Sequence, residues 1–240
     1  MRNPLYSLSK RLARLRRFPA LGRRNGARFV LDPQNWIDNR LLAAAPYETA
    51  QLERAVQLIA DQQIDCLVDI GANFGLYAVL LGRLPAILDV HAFEPVRRNF
   101  NQLMGNIFCN RLDAKVTGHR LALGDANGTE TIHIDPRSTG VSRLDLATTA
   151  RDAAVFAQSE TVEVRRFDDV LALAGRRVYV KIDVEGRAVE VLRGMTAFLA
   201  ANRGALQVEM SPTEAVAGDI LAEQGWLAFA EDGDRFFVKA

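Results

Sequence analysis

The stretch "VKIDVEG" carries Lys181, Asp183 and Glu185 two residues apart. In an extended strand this spacing puts all three on one face. Ionisable groups on an otherwise apolar strand are costly unless they are paired or used. A hydroxyl is a poor nucleophile. Taking its proton requires a base, or a metal ion that lowers its pKa. Asp183 is the candidate base or metal ligand, and Glu209, in the nearby "VEM", is its candidate partner. A purely structural Lys181–Asp183–Glu209 ion-pair network is the competing reading. No other residue is nominated as a ligand for a divalent metal. His91, His119 and His133 read as structural or exposed.

A second group of residues points to a ligand. In "LVDIGANFGLYAVLLG" an apolar strand breaks into Gly71-Ala72-Asn73-Phe74-Gly75 and resumes as an apolar helix. Glycines at such a junction permit a sharp turn and let a ligand approach the backbone. The spacing is GxxxG rather than GxGxxG, with Asn73 where the second glycine of a dinucleotide fingerprint would stand. No GK[ST] follows, so a cradled pyrophosphate is poorly supported. Asp69, Glu94 and Asp125 end three successive predicted strands. Glu94 follows about 20 residues on, where an acid can accept from two ribose hydroxyls. Asp125 could receive an adenine amino group, and Asp69 a cationic amine. A ribose, an adenine and a positive charge describe S-adenosylmethionine. Asp69, Gly71, Ala72, Asn73, Gly75, Glu94 and Asp125 are therefore the candidate cofactor-binding residues. Plain packing of the glycines, a helix cap at Glu94 and an ordinary turn at Asp125 are the alternatives.

These residues need a parallel sheet to bring them together. "CLVDI", "LDVHAFEP", "AKVTGHRLALGD", "RRVYVKIDVEG" and "GALQVEM" read as strands. "LYAVLLGRL", "VRRNFNQLMGNIFCN", "AVEVLRGMTAFLAAN" and "TEAVAGDILAEQ" read as the intervening helices. The alternation implies βαβ units. "WLAFAEDGDRFFVKA" is a terminal antiparallel hairpin turned at Asp232-Gly233. The rhythm breaks at about 126–165, read as a β insertion of "ETIHI" and "ETVEVRRF" around a mobile loop at about 135–160. Upstream, "RFVLDPQNW" is a short strand and turn, and "PYETAQLERAVQLIADQQ" a helix. The predicted organisation is a basic amphipathic arm at 1–28, a cap segment at 29–64 and an α/β domain at 65–240.

Taken together, "YE" (Tyr47, Glu48), "VDIGANFGLYA", "AFEPVRRNFNQLMGN", "ALGDANG", "RFDDVL" and "VYVKIDVEGRAVEVLRGM" resemble the FkbM-type S-adenosylmethionine-dependent methyltransferases. The pieces come in the family's order over roughly residues 45–210. The resemblance implies a class I methyltransferase fold, a Rossmann-like doubly wound sheet. It also implies methyl transfer, commonly to a hydroxyl oxygen of a sugar, glycan or secondary metabolite.

Bulk properties bound the rest. The chain has 240 residues, 49% of them hydrophobic and 25% charged, as in ordinary globular proteins. Cys66 and Cys109 form no CxxC pair or cysteine–histidine cluster and read as buried thiols in a reducing, cytoplasmic setting. Net charge is +1, but no acid precedes Asp32, and that stretch holds nine basic residues from Arg2 to Arg28. The remainder keeps 21 basic residues against 29 acidic ones. Leu5, Leu8, Leu12, Leu15 and Phe18 mark one helical face of the arm. Peripheral membrane contact through residues 1–28, packing on the acidic body, and packing on a second copy in a homodimer are the readings of that face. The acidic body and the absence of a [DN]PP[YFW] loop argue against a nucleic-acid partner. An NAD-binding protein, a non-catalytic relative, and a methyltransferase for nitrogen or peptide acceptors are the rival functions.

Overall fold

The computed structural model describes residues 4–135, 137, 138, 156, 158–210 and 216–240. Helix α1 (Pro4–Ala13) leads into a hairpin of β1 (Ala20–Arg24) and β2 (Ala27–Leu31). Asn25 and Gly26 turn it with positive φ. Ala27, Phe29 and Leu31 are buried. The side-chain oxygens of Asn106 and Asn110 accept from the Val30 and Arg28 amides at 2.6 and 3.0 Å. The predicted arm boundary at residue 28 is therefore corrected: it cuts through a strand that belongs to the packed body. The mixture of small, apolar and basic residues in "ALGRR" carries no strand signal of its own.

Helices α2 (Trp36–Leu42) and α3 (Thr49–Asp61) follow. The sequence does not announce α2, but Asn35 caps it, accepting from the Ile37 and Asp38 amides. The α/β body then runs β3 (Cys66–Ile70), α4 (Leu76–Gly82), β4 (Asp89–Phe93), α5 (Arg97–Cys109) and β5 (Val116–His119). The third predicted strand breaks at His119. Its second half, β6 (Ala122–Leu123), joins β7 (Gly128–Ile134) and β8 (Gln158–Arg165) in a separate three-stranded sheet. The predicted mobile loop falls mostly outside the described residues. The chain continues through α6 (Phe167–Val170), β9 (Arg177–Ile182), α7 (Ala188–Gly194), α8 (Thr196–Ala201) and β10 (Arg203–Val208). It closes with α9 (Val216–Glu223), β11 (Leu227–Asp232) and β12 (Asp234–Lys239). The single helix expected over "AVEVLRGMTAFLAAN" is two, because Asp168 caps the second by accepting from the Ala197 and Phe198 amides, each at 2.9 Å.

The main sheet has the order β5-β4-β3-β9-β10-β12-β11. Every pair is parallel except those made by β12. This is the doubly wound class I methyltransferase arrangement. The chain winds outward from β3 in one direction and from β9 in the other, so the topological switch lies between them. Both faces are covered. Leu67 packs with α3, α4, α5 and the β2 hairpin, while its neighbour Val68 packs with α7, α8 and α9. Two covered faces explain strands that are apolar throughout. A switch point between parallel strands opens a crevice at their carboxyl ends.

Candidate active site

A cavity of about 380 Å³ occupies that crevice. Gly71 and Asn73 from the glycine turn, Glu94 beyond β4, and Lys181, Asp183, Glu185 and Glu209 around the ends of β9 and β10 all line it. Asp69, Ala72, Gly75 and Asp125 do not.

The turn is built as the sequence implies, with φ of +79° at Gly71, +51° at Asn73 and +89° at Gly75. Its glycines also answer to the protein itself. A Cβ on Gly71 would stand 1.8 Å from the Asp183 carbonyl oxygen, and one on Gly75 would stand 2.5 Å from a Leu103 methyl. Packing against the Asp183 backbone demands glycine at 71, and the positive φ favours it at 75, so the packing alternative holds at this turn. Gly71 and Asp183 sit back to back, which ties the turn to the acid cluster.

Glu94 is buried, at 4% exposure. Its Oε2 accepts from the Asn73 amide at 2.9 Å and its Oε1 from the Val96 amide at 2.8 Å. Oε1 also accepts from Asn99 Nδ2 at 3.4 Å, so Oε2 is the oxygen that keeps acceptor capacity for a ligand hydroxyl. Burial pushes its carboxyl up to about 7 against the pull of those hydrogen bonds. Asp69 is buried beneath the turn and accepts from the Ala78 amide at 2.9 Å. It caps α4 from below, and burial pushes it up to about 7 against the attraction of Lys181. Asp125 is exposed just beyond β6. The break after β5 takes it out of the central sheet, so it does not end the sheet's third strand. Leu121, Ala122 and Leu123 line the cavity from that direction instead.

At the other end, β9 stops at Ile182. The shared strand face expected for Lys181, Asp183 and Glu185 thus holds only through Lys181. Glu185 has φ of +50° and Gly186 of +88°, so a turn, not a pleat, returns Glu185 to the cavity. Lys181 is 2% exposed. Its Nζ lies 3.1 Å from an Asp183 oxygen and 3.5 Å from an Asp234 oxygen. Burial disfavours its charge, but Asp183, Asp234 and Glu48 outweigh burial and raise its pKa. Burial likewise raises Asp183, yet Lys181 and a hydrogen bond with Glu209 hold it below the usual carboxylate range. Glu209 moves the other way: that hydrogen bond, the Asp183 charge and burial push it up to about 9. Two carboxyls with one proton between them form a dyad with a weak and a strong base. One oxygen each from Asp183, Glu185 and Glu209 also lies within 4.8 Å of the others, so the trio could hold a divalent ion in place of that proton.

Several lining residues carry no functional signal of their own in the sequence. Tyr47 and Glu48 enter from the start of α3, and Asp234 from β12. Glu48 has φ of +47°, and its Oε2 is buried with no hydrogen-bond partner. Burial raises its pKa against the attraction of Lys181. A positive φ on a residue other than glycine was the missing signal, and it is invisible in sequence. Asp234 accepts from Gln207 Nε2 at 2.5 Å, and Gln207 in turn accepts from the Tyr179 hydroxyl at 2.5 Å. A polar chain thus anchors Lys181 from below.

The residues present fit S-adenosylmethionine. Glu94 offers an acceptor oxygen for a ribose hydroxyl, and Leu121, Leu123 and Val184 supply an apolar wall. The unpartnered oxygen of Glu48 suits a cation. Lys181, the buried cation of this cluster, is already held by carboxylates, which leaves a pyrophosphate poorly matched.

Comparison with known proteins gives a consistent picture. A family model described as "Methyltransferase FkbM domain" matches residues 69–235. The curated protein "Methyltransferase 1" of Beauveria bassiana (strain ARSEF 2860) is 26% identical over 144 residues, 54% of this chain and 57% of that protein. The chain thus matches little more than half of that relative's length. Among solved structures, M. jannaschii TYW2 in complex with AdoMet aligns at a TM-score of 0.48 and 12% identity, over 94% of this chain and 88% of that one. Magnesium protoporphyrin IX methyltransferase of Synechocystis PCC 6803 with bound SAM aligns at 0.47 and 13%, over 98% and 94%.

Proposed function

The chain belongs to the FkbM methyltransferase family, and from that premise we propose that it uses S-adenosylmethionine to methylate a hydroxyl oxygen on a sugar, glycan or secondary metabolite. The carrying observation is the Asp183–Glu209 dyad on the cavity wall, with one carboxyl held low and the other raised to about 9. S-adenosylmethionine supplies an electrophilic methyl group on a sulfonium. The chain's own residues supply the rest. Glu94 orients the ribose, and Glu48 meets positive charge. Lys181 holds Asp183 in place. The dyad takes the acceptor's proton as its oxygen is alkylated, with Glu209 as the stronger base. Much of the remaining acceleration comes from holding the acceptor in line within the cavity. The free thiols of Cys66 and Cys109 support a reducing, cytoplasmic setting.

The test incubates purified protein and a cell extract with methyl-labelled S-adenosylmethionine. Mass spectrometry and NMR of the labelled product then locate the methyl group. An O-methyl ether supports the reading. A label on nitrogen would assign the dyad to an amine acceptor. Binding of NADH with none of S-adenosylmethionine would remove the cofactor assignment.

A further inference from the structure

The segment from α1 to β1 keeps large apolar side chains in solvent. Leu12 is 57% exposed, Leu15 77%, Phe18 79% and Leu21 67%. Leu12 and Leu15 share one side of a helical turn, because the Leu15 amide donates to the Leu12 carbonyl at 3.2 Å. Arg11, Arg14, Arg16, Arg17 and Arg23 are exposed between and beside them. Among the described residues, no carboxylate pairs with any of these five, and no acid occurs in the sequence before Asp32. The backbone here is nevertheless fastened to the body. Gln34 Nε2 donates to the Arg14 and Arg16 carbonyls at 2.9 and 3.1 Å, and Asn39 Nδ2 donates to the Lys10 carbonyl at 3.1 Å. The side chains are thus presented outward from a seated backbone.

We propose that this face, from Leu12 to Arg23, docks on the surface of an anionic lipid bilayer. The charge argument selects the occupant. Five unpaired arginines need a negative surface, and four exposed apolar side chains need a layer that they can enter; an anionic bilayer offers both at once. A nucleic acid would engage the arginines and leave Leu15 and Phe18 in water. Among the described residues, no helix is long and apolar enough to cross a membrane, so the contact is peripheral.

The test co-sediments the full chain with vesicles of phosphatidylcholine alone and of phosphatidylcholine with phosphatidylglycerol. The chain should pellet only with the anionic vesicles. Raising salt from about 0.01 M to about 0.1 M, which shortens the screening length from about 30 to about 10 Å, should release most of it. A Leu15→Ser, Phe18→Ser double variant keeps every charge and should bind about tenfold more weakly. Leu21→Ser, on the hairpin, gives a second variant should the first melt below the parent. The proposal is overturned if the full chain stays in the supernatant at low salt, or if the apolar variants bind as tightly as the parent. It is also overturned if light scattering finds a dimer that the apolar variants dissociate and that ignores vesicles.

Discussion

The proposed function gives Asp183 to chemistry and Glu94 to cofactor binding. Asp183→Asn keeps the size and removes the charge that the Lys181 ammonium and the Glu209 proton share. Turnover should fall at least about a hundredfold, the scale of a disabled general base, because Glu209 loses its dyad partner, while calorimetry finds S-adenosylmethionine affinity within a few-fold of the parent. Near-normal turnover would reduce the cluster to an ion-pair network. The dyad also sets a pH dependence. A base with its pKa raised to about 9 is deprotonated above that pH, so turnover should climb toward pH 9 and level off beyond. Glu209→Gln should remove that climb; a variant with the parent's profile would exclude Glu209 as the titrating base. Glu94→Ala should weaken cofactor binding about ten- to a hundredfold, as loss of a hydrogen bond to a charged group costs roughly 1.5–3 kcal/mol. It should also lower the melting temperature, because the Asn73 and Val96 amides lose their acceptor. Unchanged affinity in the calorimeter would take Glu94 out of the site.

The glycine turn and the loop after β9 act as one unit because Gly71 lies against the Asp183 carbonyl. Gly71→Ala would add strain at φ +79° and force that carbonyl to move; Gly186→Ala, at φ +88° with nothing within 4 Å, would add the strain alone. Left-handed strain costs roughly 1–2 kcal/mol. In urea unfolding Gly71→Ala should be the more destabilising by a further 1–3 kcal/mol or so, the scale of overpacking, and it alone should lower turnover. Equal losses would mean that the contact yields freely. This coupling marks the limit of what could be read from residue order. Strands β3, β4, β9 and β10 were legible because burial on both faces writes unbroken apolar runs. The turn was legible as a turn, but the reason for its glycines was not, since the Asp183 carbonyl is 112 positions away in sequence. Asp125 was misplaced because "VTGHRLAL" reads as one strand, and only the pairing of Ala122 with Val164 shows that it changes sheets. Strand β2 was legible in "RFVL", but its partner β1 was hidden because "ALGRR" has no apolar run or alternation to mark it. Glu48 and Asp234 reach the cavity through tertiary contacts that leave no periodic trace.

Across the whole molecule, the buried acids couple stability to pH. Burial raises Asp69 and Glu94 to about 7, well above the values near 4 of unfolded chains. The native state therefore binds more protons than the unfolded state from about pH 4 to 7. Stability falls as pH rises through that window, and the loss is complete only above the native values. His91 and His119 act oppositely, since burial lowers both, but their effect fades within about a unit above 6.5, where the unfolded histidine titrates. Asp183, held low, has finished titrating well before that. From pH 6.5 to 8 the raised acids, Glu209 among them, outweigh what is left of the histidine effect. The chain without cofactor should lose roughly 1–2 kcal/mol over that interval, read as a melting temperature lower by a few degrees. Glu94 lines the cavity and Asp69 lies beneath its turn, so a cationic ligand in the cavity favours their charged forms, and the rise in melting temperature on adding S-adenosylmethionine should be larger at pH 8 than at pH 6.5. Scanning calorimetry at fixed ionic strength, with and without the cofactor, checks both statements. A flat or rising profile without cofactor would mean that Asp69 and Glu94 are already ionised in the native state at pH 6.5. A cofactor shift independent of pH would detach them from the bound charge.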